Sequence, residues 1–131
     1  MAETLRVGIA GLGTVGAETF RILSERKDIL LSRSGKKIEV VAVSSQDRHM
    51  DRGIDLSGVE WVDDARKLCL MPNVDVVVEL IGGAEGIAKD IAEATVKNNK
   101  YFVTANKALI AHYGDEIGKN AEKNDVSIGF E

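Results

Sequence analysis

Gly11, Gly13 and Gly16, within "VGIAGLGTVGAETFRIL" at 7–23, stand at the spacing G-x-G-x-x-G. Between a strand and a helix that spacing holds a pyrophosphate, and each glycine has its own reason. The first permits a sharp turn, the second lets the backbone approach the phosphate with no Cβ in the way, and the third lets the helix lie close to the strand. Amides in the helix's first turn lack partners inside it and would face the anion. On its own the spacing says little, because glycine-rich turns serve many α/β proteins; the flanking elements decide.

The same chemistry needs a reader of the adenosine ribose at the end of the second strand. An acidic residue there bonds the ribose hydroxyls of NAD. Here the sequence reads "VAVSSQDRHMDRG" (41–53), with Ser44, Ser45 and Gln46 at the turn and Asp47 and Arg48 just beyond. Hydroxyls and a planar guanidinium suit a 2′-phosphate instead, so Ser44, Ser45 and Arg48 are expected at the ribose and NADP is favoured over NAD. Asp47 serves NAD if the loop folds inward, and the run otherwise reads as a solvated loop.

Glu79 and Lys107 are two charges that local stability does not explain. Glu79 interrupts the apolar run "VDVVVELIGG" (74–83), where a carboxylate is costly unless it is paired or reaches the open end of a sheet. Strand C-termini in doubly wound sheets face the ligand crevice, which sets residues 79–83, Ile81, Gly82 and Gly83 among them, along the cofactor. The bland alternative is a capping carboxylate followed by a turn. Lys107, in "YFVTANKALIA" (101–111), opens a helix, where the dipole disfavours a cation. Beside a carbonyl oxygen becoming an alkoxide during hydride transfer, a fixed positive charge or proton donor is useful. Its alternatives are a tether to Glu79 or plain solvation.

Only a parallel sheet brings these residues to one edge, and the hydrophobic pattern supplies one. "LRVGIA" (5–10), "IEVVAVS" (38–44), "VDVVVELI" (74–81), "YFVT" (101–104) and "VSIGF" (126–130) read as strands, with "VEWV" (59–62) a weaker sixth. Near-continuous apolar strands belong to a sheet covered on both faces. A helix beginning near Thr14 is expected to bury Val15, Thr19, Ile22 and Leu23, and a later one Ile87, Ala88, Ile91, Ala94 and Thr95. The alternation predicts an α/β, Rossmann-type doubly wound, mainly parallel sheet with helices on both faces.

Composition agrees with a single globular domain over residues 1–131, with 44% hydrophobic and 29% charged residues and neither repeat nor linker. No apolar run reaches the roughly 20 residues that cross a bilayer, so a cytoplasmic location is the default expectation. A net charge of −4 argues against nucleic-acid and membrane partners. Cys69, the single cysteine, reads as core filling, and the two histidines, His49 and His112, have no zinc spacing. Trp61 is expected on a sheet edge.

The combination "GIAGLGTVG", "VDVVVELIGG" and "VTANKALIA", in this order and spacing, resembles the nucleotide-binding domain of the homoserine dehydrogenases over nearly the whole chain. Members of that family interconvert aspartate 4-semialdehyde and homoserine with NADPH or NADH, on the route to threonine, methionine and isoleucine. The resemblance implies that Gly11, Gly13, Thr14 and Val15, in the turn that includes Leu12 and Gly16, line the pyrophosphate. It further implies that Thr104 and Ala105, with Asn106 beside them, border the nicotinamide ribose and that Lys107 lies near the reacting carbonyl. Family members continue from "SIGFE" into a separate substrate-binding and dimerising domain, so the resemblance implies a cofactor domain that is inactive alone and a homo-oligomeric parent. Two alternatives stay open: a dinucleotide-sensing module without chemistry, and the cofactor half of another semialdehyde or polyol dehydrogenase.

Overall fold

The computed structural model describes residues 3–46, 50–81 and 86–130. Of the expected site residues, Arg48, Gly82 and Gly83 lie outside these, as do Asp47, His49 and Glu131.

Strands β1 (Glu3–Ala10), β2 (Lys36–Ser44), β3 (Glu60–Trp61), β4 (Val76–Glu79), β5 (Tyr101–Thr104) and β6 (Ile128–Phe130) form one sheet in the order β3-β2-β1-β4-β5-β6. Every pairing is parallel. Helices α1 (Thr14–Glu25), α2 (Lys27–Ser34), α3 (Ile87–Lys97) and α4 (Lys107–Lys123), with a 3-10 helix over Ala65–Leu70, make the connections. The strands are apolar on both sides because both sides are covered. Val76 and Val77, neighbours on β4, belong to two different core clusters, one with Ile9, Phe20 and Val43 and the other with Leu68, Ile91 and Phe102.

Helix α1 corrects one expectation. Its buried residues are Gly16 and Phe20, with Leu23 half-buried beside them, whereas Val15 is 58% exposed and Ile22 41%. The rotation of the helix is fixed by Gly16, which seats against the backbone of residue 11 and has no side chain to contribute to a hydrophobic pattern. In α3 the expected Ala88, Ile91 and Thr95 are buried, joined by Ala92 and Val96, with Ala94 half-buried, whereas Ile87 at the first position is 38% exposed. Helix α2 has no apolar periodicity to announce it and buries none of its residues; Asp28 in its first turn and Gly35, left-handed at φ 74°, fit its two ends.

The register builds the site edge. Ser44 pairs with Ala10, Ala10 with Glu79, and Glu79 with Thr104, so the C-terminal ends of β2, β1, β4 and β5 form one row. The strand order turns back between β1 and β4, the switch point at which open α/β sheets bind ligands.

Candidate cofactor site

The three glycines of the first turn have three separate causes. Gly11 sits at φ +104°, and a Cβ there would stand 2.9 Å from the carbonyl carbon of Leu80, so the chains leaving β1 and β4 approach closer than any side chain allows. At Gly16 a Cβ would fall 1.9 Å from the Gly11 carbonyl oxygen. Gly13 differs from both: its φ is −71°, and a Cβ there would meet nothing within 4 Å. Among the described residues no packing contact requires glycine at 13, and the space beside it is open.

Gly13 is also the N-cap of α1, and no side chain among the described residues caps that helix start. Helix α4 is built otherwise, its N-cap Asn106 accepting the Leu109 amide at 2.9 Å. An uncapped helix start with open space before it fits a phosphate. A cavity of about 390 Å³ opens there, lined by the expected Gly11, Leu12, Gly13, Ser44, Ser45 and Ile81. Thr14 and Val15, both exposed, follow directly on the helix. Leu12 turns its side chain into the core, at 2% exposure, and its place in the cavity wall is that of a support for the turn.

Ser44 and Ser45 are tied into the turn. The Gly11 amide donates to the Ser44 carbonyl at 2.7 Å, and the Leu12 amide donates to Ser45 Oγ at 3.2 Å. The Ser45 hydroxyl keeps its own proton to give. Gln46 and Leu80, which lie in the two stretches the sequence sets against the cofactor, also line the cavity, and so do Asp63, Ala65 and Ile87, which it did not single out as site residues. Asp63 could have been found, because it follows β3 and strand ends face the crevice. Arg52 had no such signal: its guanidinium lies 5.4 Å from the centre of the Trp61 ring, on the edge strand β3, and reaches the carbonyls of Leu12 and Gln46.

Glu79 is fully buried. One carboxylate oxygen accepts the Thr104 hydroxyl at 2.6 Å and the other the Ile81 amide at 2.7 Å. Thr104 Oγ in turn accepts the Asn106 amide at 2.9 Å. A chain of bonds therefore runs from β4 through the end of β5 to the start of α4, whose first residue is Lys107. Lys107 is exposed and makes no ion pair among the described residues, so a tether to Glu79 does not account for it. Thr104, Ala105 and Asn106 lie on this same edge but not among the lining of the cavity at the glycine turn. Cys69 is core: buried against the Thr95 hydroxyl at 3.2 Å, its thiol is pushed up by loss of water.

A six-stranded parallel sheet in this order, with a glycine turn and an uncapped helix at the switch point, defines a dinucleotide-binding domain. The family described as "Homoserine dehydrogenase, NAD binding domain" matches residues 11–131, and the chain belongs to it. The homoserine dehydrogenase of Pseudomonas aeruginosa is 39% identical over 129 residues, 98% of this chain and 29% of that protein. That of Bacillus subtilis is 35% identical, over 98% of this chain and 30% of the relative. Solved structures agree: homoserine dehydrogenase from Staphylococcus aureus superposes at a TM-score of 0.89 with 28% identity, across 100% of this chain and 33% of the other. The Thiobacillus denitrificans enzyme does so at 0.89 with 34% identity, across 99% of this chain and 30% of that one. The chain thus spans about a third or less of the length of the proteins it matches.

Proposed function

We propose that this chain is the cofactor-binding part of an oxidoreductase that interconverts aspartate 4-semialdehyde and homoserine, taking NADP or NAD. The observation that carries the reading is Gly13, whose missing side chain no contact among the described residues requires, at an uncapped helix start beside a cavity. In this reading the turn Gly11, Leu12 and Gly13 lies against the pyrophosphate, which is held by the Gly13 amide and the first amides of α1, at Thr14, Val15 and Gly16, the amides of Gly11 and Leu12 being bonded to Ser44 and Ser45. Ser44 and Ser45, with Arg48, serve the adenosine ribose; the absence of a carboxylate at residues 44–46 favours the 2′-phosphate form. Ile81, Gly82 and Gly83 run along the cofactor, and Thr104, Ala105 and Asn106 border the nicotinamide ribose.

The bound dinucleotide supplies the hydride acceptor or donor. Lys107, held at the start of α4 by the bonds from Glu79 and Thr104 to Asn106, presents an ammonium to the carbonyl oxygen as that oxygen gains negative charge. In this reading, holding the substrate and forming a homo-oligomer fall to residues other than these 131, which match 29% of the P. aeruginosa relative. The domain works in the cytoplasm. No helix among the described residues is long and apolar enough to cross a membrane, and a lone buried thiol suits a reducing compartment.

Titration calorimetry with NADH and NADPH on the wild-type chain and Gly13→Val tests the reading. A branched side chain in the open space should abolish binding while the circular dichroism spectrum of the fold stays unchanged. Equal affinity in the two forms would refute the assignment.

A further inference from the structure

We propose that Arg52 is a positioning residue for the dinucleotide, which sets the plane of the Leu12–Gly13 peptide so that the Gly13 amide faces the phosphate. The inference rests on the reading of the glycine turn as the pyrophosphate cradle, and it adds a residue from a different part of the chain.

Arg52 Nε donates to the Leu12 carbonyl at 3.1 Å. Its Nη2 donates to the Gln46 carbonyl and lies 3.5 Å from Ser45 Oγ, and its Nη1 donates to the Met50 carbonyl at 3.3 Å. The flat guanidinium sits over the Trp61 ring, which limits its orientation. Leu12 is thereby held at both ends, its amide by Ser45 Oγ at 3.2 Å and its carbonyl by Arg52.

The consequence lies in the next peptide. Carbonyl and amide of one trans peptide share a plane and point in opposite directions. Fixing the Leu12 carbonyl toward Arg52 therefore aims the Gly13 N–H away from it. Among the described residues that N–H has no hydrogen-bond partner, and it stands at the start of α1 on the wall of the cavity. A peptide followed by glycine is free to turn over, because glycine accepts positive φ at no steric cost. Without Arg52 the amide would be presented only part of the time, and affinity would fall with the fraction of competent turns.

Arg52 is placed for this role rather than for reading a 2′-phosphate. The edge of its fork formed by Nε and Nη2, which would pair with an anion in bidentate fashion, is already engaged by backbone carbonyls. NAD and NADP share the pyrophosphate, so both should depend on Arg52 alike.

The test uses Arg52→Met, which keeps an unbranched stem against Trp61 and removes the fork, and Arg52→Lys, which keeps the charge. Dissociation constants for NADH and NADPH are measured by calorimetry on the 131-residue chain, with Gly13→Val alongside. Arg52→Met should weaken both dinucleotides by the same factor, about ten-fold for the loss of a charged hydrogen bond, with the thermal midpoint little changed. Arg52→Lys should remain weakened, because an ammonium lacks the flat fork whose plane over Trp61 fixes the direction of the bond to the Leu12 carbonyl. The Gly13 amide resonance, which should shift when NADH is added to the wild type, should lose most of that shift in Arg52→Met. A merely stabilising role leaves that shift in place. A loss confined to NADPH, full recovery by lysine, or unchanged binding in Arg52→Met each overturns the proposal. Undiminished binding by Gly13→Val overturns the pyrophosphate reading together with it, whereas abolished binding there with an indifferent Arg52 overturns this inference alone.

Discussion

Glu79 and Thr104 face each other across β4 and β5, and the threonine hydroxyl gives its proton to the carboxylate at 2.6 Å with both side chains closed off from water. The bond joins the last residues of two neighbouring strands at the edge where the cofactor is proposed to lie. Thr104→Val keeps the shape and removes the hydroxyl. It removes one donor from the buried Glu79 carboxyl and one acceptor from the Asn106 amide, a cost of about 1–3 kcal/mol. Chemical denaturation should show the loss as a lower midpoint with an unchanged slope. A variant as stable as the wild type would mean that water or a neighbouring group replaces the hydroxyl.

Gly13 and Gly16, three residues apart in the motif, should behave differently when filled. Gly16→Ala places a methyl 1.9 Å from the Gly11 carbonyl oxygen, and because that neighbour is backbone, α1 must move. A destabilisation of about 3 kcal/mol or more is expected, at the upper end for overpacking. Gly13→Ala meets nothing within 4 Å and should stay within about 1 kcal/mol of wild type, since its φ of −71° suits alanine. Thermal unfolding of the two variants side by side decides whether structural and ligand-facing glycines have been told apart.

Arg6 and Asp75 give the fold an acid-sensitive contact remote from the site. Asp75 accepts from Arg6 Nε, Nη2 and backbone amide at 2.9–3.0 Å, and the guanidinium bonds hold its carboxyl below the usual range. A carboxylate lowered in the folded state adds stability that is fully present above the unfolded value, near pH 4, and is lost as pH falls through the folded value. The pair is partly solvated, so the gain is about 1 kcal/mol. Asp75→Asn should lose that amount at pH 7 and show a flatter stability profile below pH 4; an unaltered acid limb would assign the sensitivity to other carboxylates.

What the sequence makes legible here depends on whether a feature has a pattern or a partner. Apolar runs at 5–10, 38–44 and 101–104 are visible because a sheet covered on both faces leaves little choice of residue, and β1, β2 and β5 lie there. The run at 74–81 is longer than β4, which ends at Glu79 where the chain turns past Gly11. The face of α1 is misjudged for the opposite reason: its orientation is set by glycine, which carries no hydrophobic weight. Arg52 is invisible because its partners are backbone carbonyls 40 and six residues away, and a carbonyl has no sequence signature. Glu79 was recognisable as a charge in an apolar run, but its bond to Thr104 depends on strand register, which the sequence does not display.

Binding and turnover should separate in this chain. The glycine turn, the start of α1 and Lys107 are present, and together they suffice in the proposed function to hold a dinucleotide beside an ammonium. Turnover in the proposed function requires in addition that a polar amino-acid substrate be held against the nicotinamide, and the P. aeruginosa relative is more than three times as long as the shared 129 residues, which make up 29% of it. Without positioning, the reaction loses an advantage of about 7–11 kcal/mol, which puts any residual rate below detection. The 131-residue chain should therefore bind cofactor and show no homoserine oxidation by absorbance at the nicotinamide band. In a full-length homoserine dehydrogenase carrying this domain, Lys107→Ala should lower kcat by about a hundred-fold or more while changing the cofactor dissociation constant little, because the charge acts chiefly as the carbonyl oxygen turns negative. Robust turnover by the chain alone would show that substrate positioning lies within these residues. An unimpaired Lys107→Ala enzyme would return the lysine to solvent and shift the search for the proton donor to residues outside this domain.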